Sequence, residues 1–418
     1  MKPTTRLLSL AALIGLSLTS LTNHHAGHAA ACATTTTLRV TGWKEPGPET
    51  QLLEIGINQF NNLNPCIVAR YSPTAQPDYQ AEIGREFARK TEPDVFYASP
   101  DLIATLGQAR RLLKLDPYLA SDRVSLDRYI PDLLKVFQVK GSTYGLPKDW
   151  GTVAVFYNKD IFDAERVPYP TNNLTYAQFR ALAKRLTTTG TMMPADFTNL
   201  MPFLYGFGSG ILDPVTGRVL FDNPRAIEAL TYYTDFQLVD HSATTPTATG
   251  AAAIDSLGQG QAAMVIDGSW QLSYLRSAYP NLRFGVAEIP IGPAGRAAPI
   301  FTNAWSASVR TAHPAAAVKL IEYLTGAAFQ ARQLHIGFAL PTLTALRADP
   351  YLKAHPDVYS FFSEYTAGKP ANFGRYDSAI NQVLSDAVTA VLLKKSTPAQ
   401  AITVAAGTLQ RRIAGQSR

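Results

Sequence analysis

Two hydrophobic periods alternate along the chain. Short apolar or alternating runs mark strands, and apolar residues recurring every three or four positions mark helices. "LRVTGW" (38–43) reads as a strand stopped at Gly42-Trp43. Leu52, Leu53, Ile57 and Phe60 then share one face of a helix closed by Asn64-Pro65. "IVARY" (67–71) predicts a second strand, residues 79–90 a second helix and "PDVFYAS" (93–99) a third strand. Strands separated by helices at this spacing argue for βαβ units and a parallel sheet. Ligands bind such sheets beyond the carboxyl ends of the strands. That places Trp43 and the segment 98–101, with Asp101, at a candidate site.

Further along, "STYGLPKDWGTVAVFYNKDIF" (142–162) runs through Lys148-Asp149-Trp150-Gly151 into the strand "VAVFY". Helical spacing covers 176–186 and 224–238, the second opened by Asp222-Asn223-Pro224. "GQGQAAMVIDGSW" (258–270) predicts a buried strand over 262–267 that breaks at Gly268 and presents Trp270 at its far end. The Pro- and Gly-dense "FGVAEIPIGPAGRAAP" (284–299) reads as a connection between domains. "HPAAAVKLIEYLTG" (313–326) predicts an amphipathic helix, and the C-terminal third is helical, most strongly over 378–395 and 397–413.

At 418 residues the chain is long enough for two domains. A hydrophobic fraction of 46% with 17% charged residues is that of a globular protein. The formal charge of +6 raises a nucleic-acid partner, but Lys and Arg are scattered apart from short doublets such as Arg110-Arg111. A solvated basic surface accounts for them, and no nucleic-acid partner is expected.

Residues 1–31 carry the pattern of a secretory signal: Lys2 and Arg6, an apolar run from Leu7 to Leu21, then small residues with cleavage expected near Ala29–Ala31. No later stretch reaches the length of a membrane span. The mature protein is expected outside the cytoplasmic membrane, periplasmic or associated with the cell surface. The cysteines, Cys32 and Cys66, allow two readings. "AAAC" loosely resembles a lipid-attachment motif, but the apolar run ends near Leu21 and no leucine precedes Cys32 by three residues. A disulfide suits an even count in an oxidising compartment, and both cysteines lie just ahead of strands predicted to pair in parallel. The disulfide is the favoured reading.

Catalytic signatures are missing. There is no His-Glu-x-x-His, Cys-x-x-Cys or phosphate-binding loop, and the cluster His24, His25, His28 falls within the leader. The glycines of Gly258-x-Gly260-x-x-Ala263 precede a strand, whereas a dinucleotide site needs them after one. Neither metal nor cofactor is expected. Polar aromatics do stand out at strand ends and crossings: Trp43, Trp150, Trp270, Trp305 and Tyr376, with Asp149 among them. Flat aromatic faces suit sugar rings, and neighbouring Asp and Asn side chains suit their hydroxyls.

Read together, "PDVFYAS", "LLKLDPYL", "YGLPKDWGTVAVFYNKDIF", "GQGQAAMVIDGSW", "EIPIGPAG" and "AWSASVRTAHPAAAVKLIEYLTG" followed by "GFALPT" resemble the extracellular solute-binding proteins of ABC importers, the group that includes maltose-binding protein. The resemblance covers nearly the whole mature chain. It implies an α/β, type II periplasmic-binding-protein fold: two Rossmann-like lobes, a multi-crossing hinge and a central ligand cleft. The lobes are expected at 38–147 with 291–338 and at 148–290 with 339–418, with crossings near 148–152, 288–291 and 338–342.

The resemblance also implies a platform role beneath a sugar for Trp270, with Gly268 letting the backbone turn at the cleft rim. Trp43 matches the aromatic after the first strand, and Asp149 and Trp150 match the segment entering the cleft. Asp101, Phe203, Asn303, Trp305, Arg375 and Tyr376 complete the candidate ligand set. Asn303 stands in a Thr302-Asn303 pair where many relatives have two glycines. The implied function is capture of a mono- or oligosaccharide by a monomer that delivers it to ABC permease subunits. The rivals are a binding protein for a glycerol phosphodiester, which wants a basic cleft, and a secreted glycoside hydrolase, which wants two carboxylates across one cleft.

Overall fold

The computed structural model describes residues 32, 34–44, 48–186, 190–193, 196–213, 216–245 and 250–416. The leader 1–31, with its cleavage region and histidines, lies outside the described residues, as does the stretch 246–249. No helix among the described residues is long and apolar enough to cross a membrane.

Two sheets organise the chain. The first is built from β1 (Thr36–Thr41), β2 (Ile67–Tyr71), β3 (Val95–Ala98) and β4 (Gly145–Gly151). β1 pairs in parallel with β2 and β3, as the strand–helix alternation requires. The second sheet holds β5 (Val153–Asn158), β6 (Thr191–Met192), β7 (Ala243–Thr244), β8 (Met264–Gly268) and β9 (Phe284–Ala287), in the order β7-β6-β8-β5-β9. β10 (Ala298–Ala307) returns to the first sheet, pairing antiparallel with β3 and β4, while its first residues pair in parallel with β11 (Gly368–Pro370).

Each sheet has its own apolar core, with Leu38, Phe96, Ile103 and Trp305 in one and Phe162, Phe203, Tyr233 and Ile380 in the other. A third cluster, including Trp150, Phe156, Leu340 and Phe361, lies where the chain passes between the sheets. There Trp150 and Leu340 exchange backbone hydrogen bonds at 3.0 and 3.1 Å, joining two passages. Ile289 and Ala298 belong to the second core, so the chain returns to the first sheet through β10 itself. Glu364 ties these passages together. Its carboxyl accepts from the Ile289 N–H and, at 3.5 Å, from the Thr152 hydroxyl, and burial pushes its pKa up to about 8.

Local chemistry follows the sequence closely. Asn223 caps the helix Pro224–Leu238 by accepting from the Arg225 and Ala226 amides at 3.0 and 3.1 Å, with Pro224 at its first position. Cys32 and Cys66 form a disulfide, and Thr36 N–H donates to the Cys66 carbonyl at 2.9 Å, so the cross-link ties the entry of β1 to that of β2. A bridge closing a 34-residue separation is expected to stabilise by roughly 2–4 kcal/mol. Cys66→Ser should therefore lower the urea midpoint, and unreduced mass spectrometry of exported protein should show a mass two hydrogens short of the dithiol. A diacylglyceryl adduct on Cys32 would contradict this.

Candidate ligand cleft

The site lies where β4, β8 and β10 end or cross. β8 runs antiparallel to β5, Gly268 opposite Val153, and the Ser269 amide donates to the Thr152 carbonyl at 3.0 Å. The helix Gln271–Ala278 starts immediately after Trp270. The indole folds back on its own strand: a Cβ on Gly268 would lie 2.1 Å from the ring, and one on Gly151 3.2 Å from it. Gly268 is thus required for space, because Trp270 occupies the place of its side chain; its φ is not positive, so the turn itself does not demand glycine. Phe301 meets the indole edge-on at 5.6 Å between centroids, and Trp270 keeps part of its surface open.

That surface borders a chamber of about 80 Å³ that also touches Trp43, Lys148, Asp149, Asn303 and Phe338. Through Phe301 and Asn303 it adjoins a larger chamber of about 460 Å³, lined among others by Asp101, Asp132, Tyr365, Lys369 and Asp377. Walls of both come from the two sheets and their helices.

Asp149 owes its position to an irregularity in β4. Asn303 pairs with Asp149 but Ala304 with Pro147, so Lys148 has no partner across the ladder. A bulge of this kind re-aims side chains. It lets the consecutive Lys148 and Asp149 side chains meet: the Lys148 ammonium donates to Asp149 and, at 3.0 Å, to Glu49 Oε1. Tyr97 donates its hydroxyl to the same Glu49 oxygen at 2.9 Å, and the ammonium lies 4.3 Å from the Tyr97 ring centre. Lys148 is 1% exposed and Glu49 3%. Burial pushes Glu49 above the usual carboxylate range, with Lys148 opposing it. Burial would lower Lys148, but Asp149 and Glu49 reverse that and hold it charged. Trp43 packs edge-on against Tyr97 and Tyr79 at 4.8 and 5.4 Å, above this ion cluster.

Four of the expected ligand residues, Trp43, Asp149, Trp270 and Asn303, meet at the small chamber, and Asp101 lines the larger one. Trp150 borders the small chamber, but its indole turns into the crossing core, donates to the Pro341 carbonyl at 3.0 Å and leaves 1% exposed, so it offers no ring face. Trp305 corrects the expectation more fully: β10 runs between β3 and β4, and the indole packs 4.2 Å from Tyr97 inside the first core. Phe203 is fully buried among Tyr176, Tyr232 and Tyr233 in the second core. Arg375 and Tyr376 lie in a turn (Gly374–Tyr376) beside a neighbouring groove; Arg375 donates to the Tyr376 hydroxyl at 2.7 Å, and neither lines the two chambers. Glu49 and Phe301 went unmarked in the sequence, and Lys148 was visible there only as a basic neighbour of Asp149. Glu49 lies 99 residues from Lys148, and only the folded sheet joins them.

Residues 57–359 match the family model described as bacterial extracellular solute-binding protein. The chain belongs to that family. A probable ABC transporter-binding protein of Deinococcus radiodurans is 25% identical over 80% of this chain and 82% of its own length. The maltotriose-binding protein of Pyrococcus abyssi is 24% identical over 74% of this chain and 70% of its own. Among solved structures, an ABC substrate-binding protein of Listeria monocytogenes in complex with cycloalternan superposes with a TM-score of 0.84 at 21% identity, covering 91% of this chain and 99% of that one. The fold is therefore that of the two-lobed binding proteins. In this solute-binding protein the cleft between lobes is the place where the aromatic and carboxylate chemistry converges.

Proposed function

We propose that the protein captures an oligosaccharide in this cleft and presents it to the membrane subunits of an ABC importer. The observation that carries the reading is the placement of Trp270. A partly exposed indole rests on two glycines, with Asp149 and Asn303 bordering the same chamber from the other sheet. A ring face and hydroxyl acceptors on opposing walls suit a pyranose. The relatives named for maltotriose and cycloalternan support the same ligand class. Closure about the crossings would bring the walls together, the second passage running through β10, and the ligand would favour the closed state by touching both walls. The leader pattern and the family support action outside the cytoplasmic membrane.

A phosphodiester ligand also has a neighbour in its favour: a glycerophosphocholine complex of a Mycobacterium tuberculosis binding protein superposes with a TM-score of 0.80 at 17% identity. The charges speak against it here. Lys148 is already held by two carboxylates, and the larger chamber sets Asp101, Asp132 and Asp377 against Lys369. A glycosidase needs a second carboxylate facing Asp149, and it finds little support: Asp267, at the end of β8, lines neither chamber and accepts from the Gly268 amide at 2.7 Å.

A thermal-shift panel of linear and cyclic oligosaccharides, monosaccharides and glycerol phosphodiesters tests the proposal. At about 100 times its dissociation constant a ligand adds about 2.7 kcal/mol of stability. Stabilisation by an oligosaccharide that is recovered uncleaved is the expected result. Stabilisation by the phosphodiester alone, or release of shorter sugars, would overturn it.

A further inference from the structure

In the larger chamber Asp101 and Asp377 come from opposite sides of the cleft. Asp101 lies in the first turn of the helix Pro100–Gln108, which packs with the first core, and Asp377 opens the helix Asp377–Leu392, which packs with the second. The two sides touch nearby: a Cβ on Gly374 would lie 3.7 Å from that of Ala104. The geometry points to a proton-linked latch, in which closing the cleft brings the Asp101 and Asp377 carboxyls into one partly buried chamber and takes up a proton. This rests on the hinge closure proposed above and not on the identity of the sugar.

Asp377 accepts the Phe373 amide on Oδ1 at 2.8 Å. Burial chiefly, and the charge of Asp101, push its pKa up to about 8, against the pull of that amide. The other groups around it do little to neutralise it. Asp132 adds a third carboxylate at the exposed rim, and Lys369, exposed, is the cation among the described lining residues. Tyr365 and Tyr205 contribute phenols, the latter itself raised in part by Asp377. Lys135 and Arg375 line the adjoining groove, and Arg375 is engaged with the Tyr376 hydroxyl.

The sign follows from which state binds the proton more tightly. Opening separates the two carboxyls and hydrates Asp377, returning it toward the ordinary aspartate range of about 4. The closed state therefore holds the proton better, and the closed-to-open ratio falls as pH rises toward about 8. One proton taken up on closure sets a ceiling of about tenfold per pH unit.

Single-molecule energy transfer on the ligand-free protein, with dyes on Asp122→Cys and Glu165→Cys, measures this without any sugar. A failed sugar assignment therefore leaves the test intact. Between pH 6 and pH 9 the closed-to-open ratio should fall by about a hundredfold, nearly all of it below about pH 8, where one proton per closure gives about tenfold per pH unit. Asp377→Asn, which keeps the oxygen that accepts the Phe373 amide, should flatten the dependence. Asp101→Asn should reduce it and raise the closed fraction at pH 9. A pH-independent ratio in the parent protein would overturn the latch. So would a dependence that survives Asp377→Asn and disappears in Glu364→Gln, because Glu364 is the other carboxyl raised to about 8, at the crossings.

Discussion

Lys148→Met should destabilise the protein by roughly 3–5 kcal/mol, the usual consequence of removing one partner from a buried ion pair. The ammonium is the cation between Glu49 and Asp149, and methionine fills similar volume without replacing it. Glu49 Oε2 already lacks a hydrogen-bond partner, so the variant has no spare donor to offer that carboxyl. The loss should depend on pH with a definite sign. Glu49 is held above its ordinary value in the parent, and removing Lys148 takes away the influences that lower it. Its folded pKa then rises further, so stability is retained at low pH and lost as pH rises through that value. Urea midpoints at pH 5 and pH 8.5 check this: the deficit of the variant should be smaller at pH 5. Adding Glu49→Gln should recover part of the loss at pH 8.5. Equal midpoints for parent and variant at both values would mean that the ion cluster is not closed in solution.

The tryptophans should separate cleanly by stability. Trp305 is 1% exposed and covered by β3 and β4, so Trp305→Ala should cost roughly 3–5 kcal/mol through lost burial and the cavity left behind. Trp270 is partly exposed at the cleft, where it rests on glycines, meets Phe301 edge-on and packs at the margin of the second core, so Trp270→Ala should leave a smaller loss of burial. Its melting temperature should stay much nearer that of the parent. Differential scanning calorimetry on the two variants makes the comparison, and equal losses would put Trp270 in the core.

The same contrast shows what the sequence could reveal. Strand and helix periods placed β2 to the residue and β1, β3 and the helix Gln76–Arg89 to within two or three residues, because each element buries one face and its pattern is local. Trp270 was legible for the same reason, as an aromatic directly after a small-residue strand. The run "AAMVIDGSW" even carries the glycine that makes room for the ring. Trp305 was not legible as a core residue. Its strand becomes central only when β3 and β4, over a hundred residues upstream, close on both of its edges. Phe203 lies in a helix buried on nearly every side, where a hydrophobic run says burial but not which core. The Lys148–Asp149 arrangement depends on a bulge, which no hydrophobic period records. Cross-sheet partners such as Glu49 and the Asp101–Asp377 pair are products of topology alone.

The proposed oligosaccharide is held on Trp270. Calorimetric titration of the oligosaccharide that scores in the thermal panel, into parent, Trp270→Ala and Trp270→Phe side by side, tests it most directly. The parent should show one saturable site. Affinity should fall in Trp270→Ala by roughly 1–3 kcal/mol, the worth of an aromatic stacking contact by analogy with bases, or about tenfold to a hundredfold. Phenylalanine should restore part of it. Unchanged affinity in Trp270→Ala, with its fold intact, would contradict the assignment of this cleft as the sugar site.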